Sequence, residues 1–224
     1  MSETILVTGA SAGFGQAICR RLVADGYRVI GSARRIEKLQ ALQEELGEAF
    51  YPLQMDVTDL SQVDHALASL PKAWERVDVL VNNAGLALGL APAYEAEVAD
   101  WLTMIQTNIV GLTYLTRKIL PQMVERNDGY IINLGSTAGT VPYPGANVYG
   151  ASKAFVKQFS LNLRADLAGK KIRISNIEPG LCEGTEFSSV RFKGDEKRVE
   201  ALYRDAHAIQ PEDIANTVAW LIQQ

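Results

Sequence analysis

Short apolar runs alternate with stretches of helical spacing along almost the whole chain, and this alternation leaves few folds open. Residues 4–8 (TILVT), 28–32 (RVIGS), 51–55, 77–82 (VDVLVN), 130–134 (YIINL) and 172–177 (IRISNI) read as buried strands. Residues 14–25, 36–46, 61–70, 97–126 and 148–167 read as helices, and Pro211 with Glu212 and Asp213 opens a last one toward Trp220. Gly26 and Gly47 close the first two helices, Ser61 and Asp64 lie near the start of the third, and Pro121 is expected to interrupt the fourth. Strands separated by helices join in parallel, and right-handed crossovers place helices on both faces of the sheet. The expected fold is α/β, a doubly wound parallel sheet, with ligands bound beyond the carboxyl ends of its strands. A length of 224 residues suits one such domain, residues 1–224. The stretch 181–204 is the least regular and most charged part, which in a compact domain marks a functional or disordered segment.

The balance of 47% apolar and 21% charged residues is that of an ordinary globular protein. A net charge of -4 with no basic stretch argues against a nucleic-acid partner. No apolar run is long enough to span a bilayer, and no basic segment precedes a cleavable apolar one, so the expected location is the cytoplasm. Cys19 and Cys182 lie far apart and form neither a CxxC pair nor a Cys/His cluster, so reduced thiols are expected, with no metal. His65 sits in a polar helical stretch and reads as solvated, and His207 lies near the end of the irregular segment.

Residues 8–15 read TGASAGFG, directly after the first strand and into the first helix. Gly9, Gly13 and Gly15, with Ser11 and Phe14 between them, form a turn that brings the backbone close to a pyrophosphate. The helix N-terminus then offers N–H groups and a positive dipole end to that anion. Tyr149 and Lys153 stand in Y-x-x-x-K spacing, which on a helix places the phenol and the ammonium on one face. A phenol with a pKa of about 10 is a poor base at neutral pH, and a nearby cation is expected to lower that value. Ser136 follows the fifth strand, where its hydroxyl can stabilise charge on a substrate oxygen.

The spacing G-x-x-x-G-x-G, with NNAG at residues 82–85 and Ser136 upstream of the Tyr149–Lys153 pair, resembles the short-chain dehydrogenase/reductase family over nearly the whole chain. The resemblance implies a Rossmann-like domain and a catalytic group of Asn108, Ser136, Tyr149 and Lys153. Asn108 would hold a water in a proton relay through Lys153. The implied reaction moves a hydride between a nicotinamide and a carbonyl carbon, with Tyr149 giving or taking the proton on oxygen. By the same resemblance Asp56 and Val57 border the adenine. Asn82, Ala84 and Gly85 line the cofactor's path, and Pro179-Gly180 form the turn beneath the nicotinamide. Thr185 is the expected carboxamide contact, although Gly184 lengthens the spacing by one residue, so that Glu183 or Leu181 could share it. After the second strand the chain reads Gly31-Ser32-Ala33-Arg34-Arg35, with no acid to pair with ribose hydroxyls and two guanidiniums to meet a phosphate. The expected cofactor is therefore NADP(H), with Arg34, Arg35 and Ser32 on its 2′-phosphate.

Segments at 82–89, 135–139, 147–155, 158–164, 178–181 and 184–194 resemble one branch of the family, the NADP-dependent 3-hydroxy acid dehydrogenases. Such enzymes act on serine, allo-threonine and related acids and on the matching semialdehydes. Sulfoacetaldehyde reductases are similar, and either class implies a small anionic alcohol or aldehyde as substrate. A cation is then expected over the nicotinamide, with Arg191 and Lys193 as candidates. Tyr143 and Leu86 would wall the pocket beside Ser136 and Tyr149, and the segment carrying Arg191 would act as a lid. Two other readings are a cofactor-sensing module without turnover, against which Tyr149 and Lys153 both count, and the same chemistry on a ketone, a sugar or a carrier-linked ketone. The family's final parallel strand would begin where this sequence ends, at Gln224, so that strand is expected to be missing here. The family forms homo-oligomers, tetramers or dimers, and the helix bearing Tyr149 is a candidate dimer face.

Overall fold

Six segments become strands: β1 (Thr4–Thr8), β2 (Arg28–Ala33), β3 (Phe50–Gln54), β4 (Val79–Asn82), β5 (Gly129–Leu134) and β6 (Ile172–Ile177). In the computed structural model, which describes residues 3–204 and 206–224, they form one sheet in the order β3-β2-β1-β4-β5-β6. Every neighbouring pair is parallel. The order reverses between β1 and β4, which opens a crevice at the carboxyl edge.

The strands read as unbroken apolar runs because both faces are covered. Ile5 and Val7 of β1 join one core, and Leu6 between them joins the other. Val79 and Val81 of β4 divide from Leu80 in the same way. The first core is closed by α1 (Gly13–Ala24), α2 (Ile36–Leu46) and α9 (Pro211–Gln223), through residues such as Ile18, Leu39 and Val218. The second is closed by α3 (Leu60–Ala68), α5 (Leu112–Arg126) and α6 (Asn147–Asp166), through Val63, Ile119 and Leu163. At the start of α9, Gln210 just before the helix and Asp213 in its first turn form a reciprocal capping box.

The expected break at Pro121 is not where the long helix changes. Helix α4 (Val98–Ile105) passes into π-helical turns over Gln106–Gly111 and then into α5, which runs through Pro121 to Arg126. Pro121 and Arg117, four residues earlier, are both exposed, so the carbonyl that Pro121 cannot serve faces water. Strand β4 starts at Val79 rather than residue 77, and just before it the Asp78 carboxylate accepts from the backbone N–H of Thr4 at 2.9 Å and from Arg76. The irregular segment 181–204 holds two short helices, α7 (Phe187–Arg191) and α8 (Glu196–Tyr203). Among the described residues, β6 is an edge strand and no helix is long and apolar enough to cross a membrane.

Candidate active site

A cleft of about 400 Å³ runs along the carboxyl edge of the sheet. Its size suits a cofactor or small-molecule pocket. Each wall is the turn that follows a strand. After β1 come Gly9, Ser11, Gly13 and Phe14; after β2, Arg34 and Arg35; after β3, Asp56 and Val57. After β4 come Ala84 and Gly85, after β5 Ser136, and after β6 Pro179, Gly180 and Thr185. Tyr149 and Lys153 enter from α6.

The glycines of the first turn have separate reasons. Gly9 and Gly13 adopt positive φ, 69° and 51°, where a side chain would strain the backbone. Gly15 lies outside the cleft lining, and a Cβ there would stand 2.2 Å from the Gly9 carbonyl oxygen, so it lets α1 close on its own turn. The turn is braced from β4. Asn83 donates from Nδ2 to the Thr8 carbonyl at 2.7 Å, and Thr8 Oγ1 accepts from the backbone N–H groups of Asn83 and Ala84 at 3.0 and 2.9 Å.

Asn82 is placed differently from the expectation that it lines the cleft. It is buried in the sheet, donating to Thr116 Oγ1 at 3.0 Å and Asn133 Oδ1 at 2.9 Å, and Asn133 in turn donates to Ser160 Oγ on α6. That chain of bonds ties β4 and β5 to the two helices behind the site. The cleft-facing residue of the pair is Asn83, which the motif alone does not distinguish.

Asn108 is carried by the π-helical turns and is buried beneath the cleft wall. Its Oδ1 accepts from the Leu86 N–H at 2.9 Å, and its Nδ2 donates to the Leu86 carbonyl and to Ser152 Oγ at 2.9 and 3.0 Å. A Cβ added to Gly85 would stand 3.3 Å from both Asn108 Oδ1 and Lys153 Nζ, so both groups border that glycine. Lys153 Nζ donates to the Leu134 carbonyl at 2.8 Å, and burial lowers its pKa to about 8. The Y-x-x-x-K spacing predicts a phenol lowered by the lysine, and the structure differs. Lys153 Nζ is 6.0 Å from the Tyr149 ring centre, and burial raises the phenol above its ordinary value. The Ser136 hydroxyl and the Arg191 charge pull the other way, more weakly. Ser136 Oγ also caps the short turn after β5, accepting from the Ala138 N–H at 3.1 Å.

Segment 181–204 lies over this end of the cleft. Thr185, Glu186, Phe187 and Val190 all line it. Thr185 meets the glycine turn, where a Cβ on Gly13 would come within 3.2 Å of it. Glu183 is engaged by Gln210 Nε2 at 2.6 Å and Leu181 is exposed, and neither lines the cleft. Of the two candidate cations, Lys193 pairs with Asp100 at 2.8 Å. Arg191 packs its guanidinium carbon 5.3 Å from the Tyr143 ring centre, and donates to Tyr143 Oη at 2.8 Å and the Gly89 carbonyl at 3.3 Å. Its Nη2 is buried with no hydrogen-bond partner among the described residues. Such a donor costs about 1–3 kcal/mol until an acceptor reaches it. A second orphan is Ser32 Oγ, buried at the other end of the cleft. Leu86 borders the pocket beside a small apolar cluster of Ala87, Met104 and Tyr149, with Phe187 packed against it.

Residues 3–196 match the short chain dehydrogenase family. The chain belongs to that family. It is 60% identical, over 100% of its length and 88% of the relative's, to a probable NADP-dependent dehydrogenase of Haemophilus influenzae. It is 59% identical to an NADP-dependent 3-hydroxy acid dehydrogenase of Salmonella typhi, over 97% of this chain and 88% of that one. Among solved structures, the closed form of a serine dehydrogenase complexed with NADP+ superposes with a TM-score of 0.97 at 56% identity, covering 99% of this chain and 89% of the other. As a short chain dehydrogenase, the protein adds features that its motifs do not announce. Cys182 lines the cleft and is half-buried, its thiol pushed up to about 12 by burial, while Cys19 is buried in the core. His65 and His207 are both exposed, away from the cleft.

Proposed function

We propose that this chain, acting as one domain over residues 1–224, is an NADP(H)-dependent oxidoreductase that interconverts a small 3-hydroxy acid and its semialdehyde or keto form. The observation that carries the reading is the unpaired Nη2 of Arg191, which belongs to a guanidinium standing 5.4 Å from the ring centre of Tyr149. A guanidinium with a free, buried donor beside a buried phenol suits a substrate that bears an anion next to its reacting carbon.

The cleft fits NADP(H) by its own chemistry. Gly9 and Gly13 leave a cradle in which side chains would clash with Asn83 and Thr185, and the first turn of α1 offers its N–H groups there. Ser32 Oγ is an unpartnered buried polar atom, Arg34 is exposed beside it, and no carboxylate from β2 approaches. Arg34, Arg35 and Ser32 would hold the 2′-phosphate, Asp56 and Val57 would border the adenine, and Pro179, Gly180 and Thr185 would face the nicotinamide. When bound, the cofactor supplies or accepts the hydride.

The chain's residues do the rest. Arg191, with Tyr143, orients the substrate's anionic group. Ser136 hydrogen-bonds the reacting oxygen. Tyr149, a phenol protonated at neutral pH and raised further by its burial, gives that oxygen a proton in reduction and takes it back in oxidation. Lys153 sits one helical turn on, with a pKa near enough to neutral to exchange protons, and Asn108 borders it across Gly85. The covering segment, pinned by Arg191 to Gly89 and by Lys193 to Asp100, excludes water from the reacting atoms. The cytoplasm is the proposed location. Exposed Phe155 and Leu161 on α6 support self-association through that helix into a dimer or tetramer, which light scattering of the purified protein tests.

The reaction is tested by supplying NADP+ with serine or 3-hydroxypropionate and following NADPH formation, with Tyr149→Phe as the control. NADPH formation by the wild type alone is expected. No turnover of any 3-hydroxy acid contradicts the reading.

A further inference from the structure

We propose that Glu186 is a latch on the covering segment, a carboxylate that competes with the cofactor's 2′-phosphate for Arg35 and Lys38 and so makes cofactor entry release the segment. The inference rests on the NADP(H) reading above and extends it to a residue that no part of the sequence pattern singles out.

Glu186 lies just before α7, in the stretch that carries Thr185 and Phe187 over the cleft. One of its oxygens accepts from Arg35 Nη2 and the other from Lys38 Nζ, both at 2.9 Å. Arg35 and Lys38 hold its carboxyl below the usual range, so the pairs are ionic at neutral pH. Arg35 simultaneously donates to Ser11 Oγ from Nε and Nη2, at 3.3 and 3.1 Å. The same guanidinium, two residues beyond β2, therefore touches both the glycine-rich turn and the covering segment.

The consequence follows from charge. Thr185, Phe187 and Val190 wall the cleft, so the segment borders the path of a dinucleotide that enters or leaves, and its looseness sets how freely that happens. Glu186 fastens it at the adenosine end, while Arg191 and Lys193 fasten it at the substrate end. A phosphate placed against Ser32, Arg34 and Arg35 draws on cations that Glu186 also uses, and it repels that carboxylate. Each anion then weakens the other's hold, and by linkage the effect is mutual. A cofactor lacking the 2′-phosphate leaves the latch in place, so Glu186 lowers affinity for NADP(H) alone and couples its binding to release of the segment. Nearby carboxylates differ in their partners: Glu45 is paired with Arg20, and Glu183 with Gln210.

The test is calorimetric binding of two probes that carry no nicotinamide, adenosine 2′,5′-bisphosphate and adenosine 5′-monophosphate. Both are titrated into the wild type, Glu186→Gln and Glu45→Gln. Exposed ion pairs are individually weak, so Glu186→Gln is expected to bind the bisphosphate roughly threefold more tightly, with the monophosphate unchanged. The gain shrinks at high salt, and Glu45→Gln, which removes an equal charge, shows none of it. Unchanged or weaker bisphosphate binding by Glu186→Gln, or an equal gain in Glu45→Gln, overturns the latch. If the wild type binds the two probes alike, the NADP(H) reading fails and the latch fails with it. If the wild type prefers the bisphosphate and Glu186→Gln does not tighten it, the latch alone fails.

Discussion

Arg191 carries its guanidinium carbon to 5.4 Å from the centre of the Tyr149 ring, so the proposed anion anchor is a direct neighbour of the proposed proton carrier, although Tyr149 lines the cleft and Arg191 stands behind its lining. The anchor comes from the covering segment and the proton carrier from α6, two parts of the chain that meet only in the folded state. Replacing Arg191 with Gln is expected to raise KM for an anionic semialdehyde by about 10- to 100-fold, the loss of charge-assisted hydrogen bonds. A neutral aldehyde of similar size should be reduced as before. Steady-state kinetics on the pair decides this, and an equal loss on both substrates makes Arg191 a packing residue.

Tyr149→Phe removes the hydroxyl and leaves the ring against Phe187, whose centre is 5.8 Å away. Turnover is expected to fall by at least 10²–10⁴-fold, the usual contribution of a positioned acid or base. NADPH binding, followed by fluorescence, should change little. Retained turnover removes Tyr149 from the proton step.

A phenol is protonated at neutral pH, and burial raises that of Tyr149 further. Reduction needs that form and oxidation needs the phenolate. The oxidation rate is therefore expected to climb as pH rises into the alkaline range, while the reduction rate holds at neutral pH and falls at the alkaline end. Rate profiles in both directions test this, and parallel profiles contradict it.

Lys153 has its pKa lowered by burial to about 8, which makes the charged ammonium a cost to the fold. The unfolded chain holds its proton up to about pH 10.5, and the folded one releases it from about 8. Within that window the unfolded state binds more protons, so stability rises with pH, and the penalty is complete below the window. Lys153→Met removes the penalty and loses the bond to the Leu134 carbonyl. A net gain of about 1–2 kcal/mol at pH 7 is expected, a rise in Tm of roughly 2–8 °C, with activity lost. A lower Tm refutes the account of that site.

The sheet was open to reading because burial on both faces makes every strand an apolar run, as Ile5, Leu6 and Val7 show by dividing between two cores. The turns were open because glycine at positive φ, as at Gly9 and Gly13, is a local requirement. What stayed hidden depends on long-range contacts. Pro121 has a strong local signature yet breaks nothing, because its face is solvated, whereas the π-helical turns at Asn108 have no signature of their own. Asn82 and Asn83 are identical in type and adjacent, and only their orientation sends one into the sheet and the other to the glycine turn. Arg191 and Lys193 carry the same charge two positions apart, and only the fold, which brings Asp100 beside Lys193, separates them. The pairing of Glu186 with Arg35 spans 151 positions and has no local trace.

Arg34 and Arg35 offer the phosphate end its own check. Replacing both with Gln is expected to raise KM for NADPH at least tenfold, in line with lost charge-assisted contacts, and to leave KM for NADH nearly unchanged. Equal changes for both cofactors contradict a 2′-phosphate site.

This cleft is expected to reduce a small anionic aldehyde with NADPH. The most direct measurement is NADPH consumption by the purified protein against malonic semialdehyde, sulfoacetaldehyde and an uncharged aldehyde of matched size. The account predicts a kcat/KM for malonic semialdehyde well above that for the neutral aldehyde, with sulfoacetaldehyde between them. Preference for the neutral aldehyde, or tight NADPH binding with no turnover of any of the three, contradicts it.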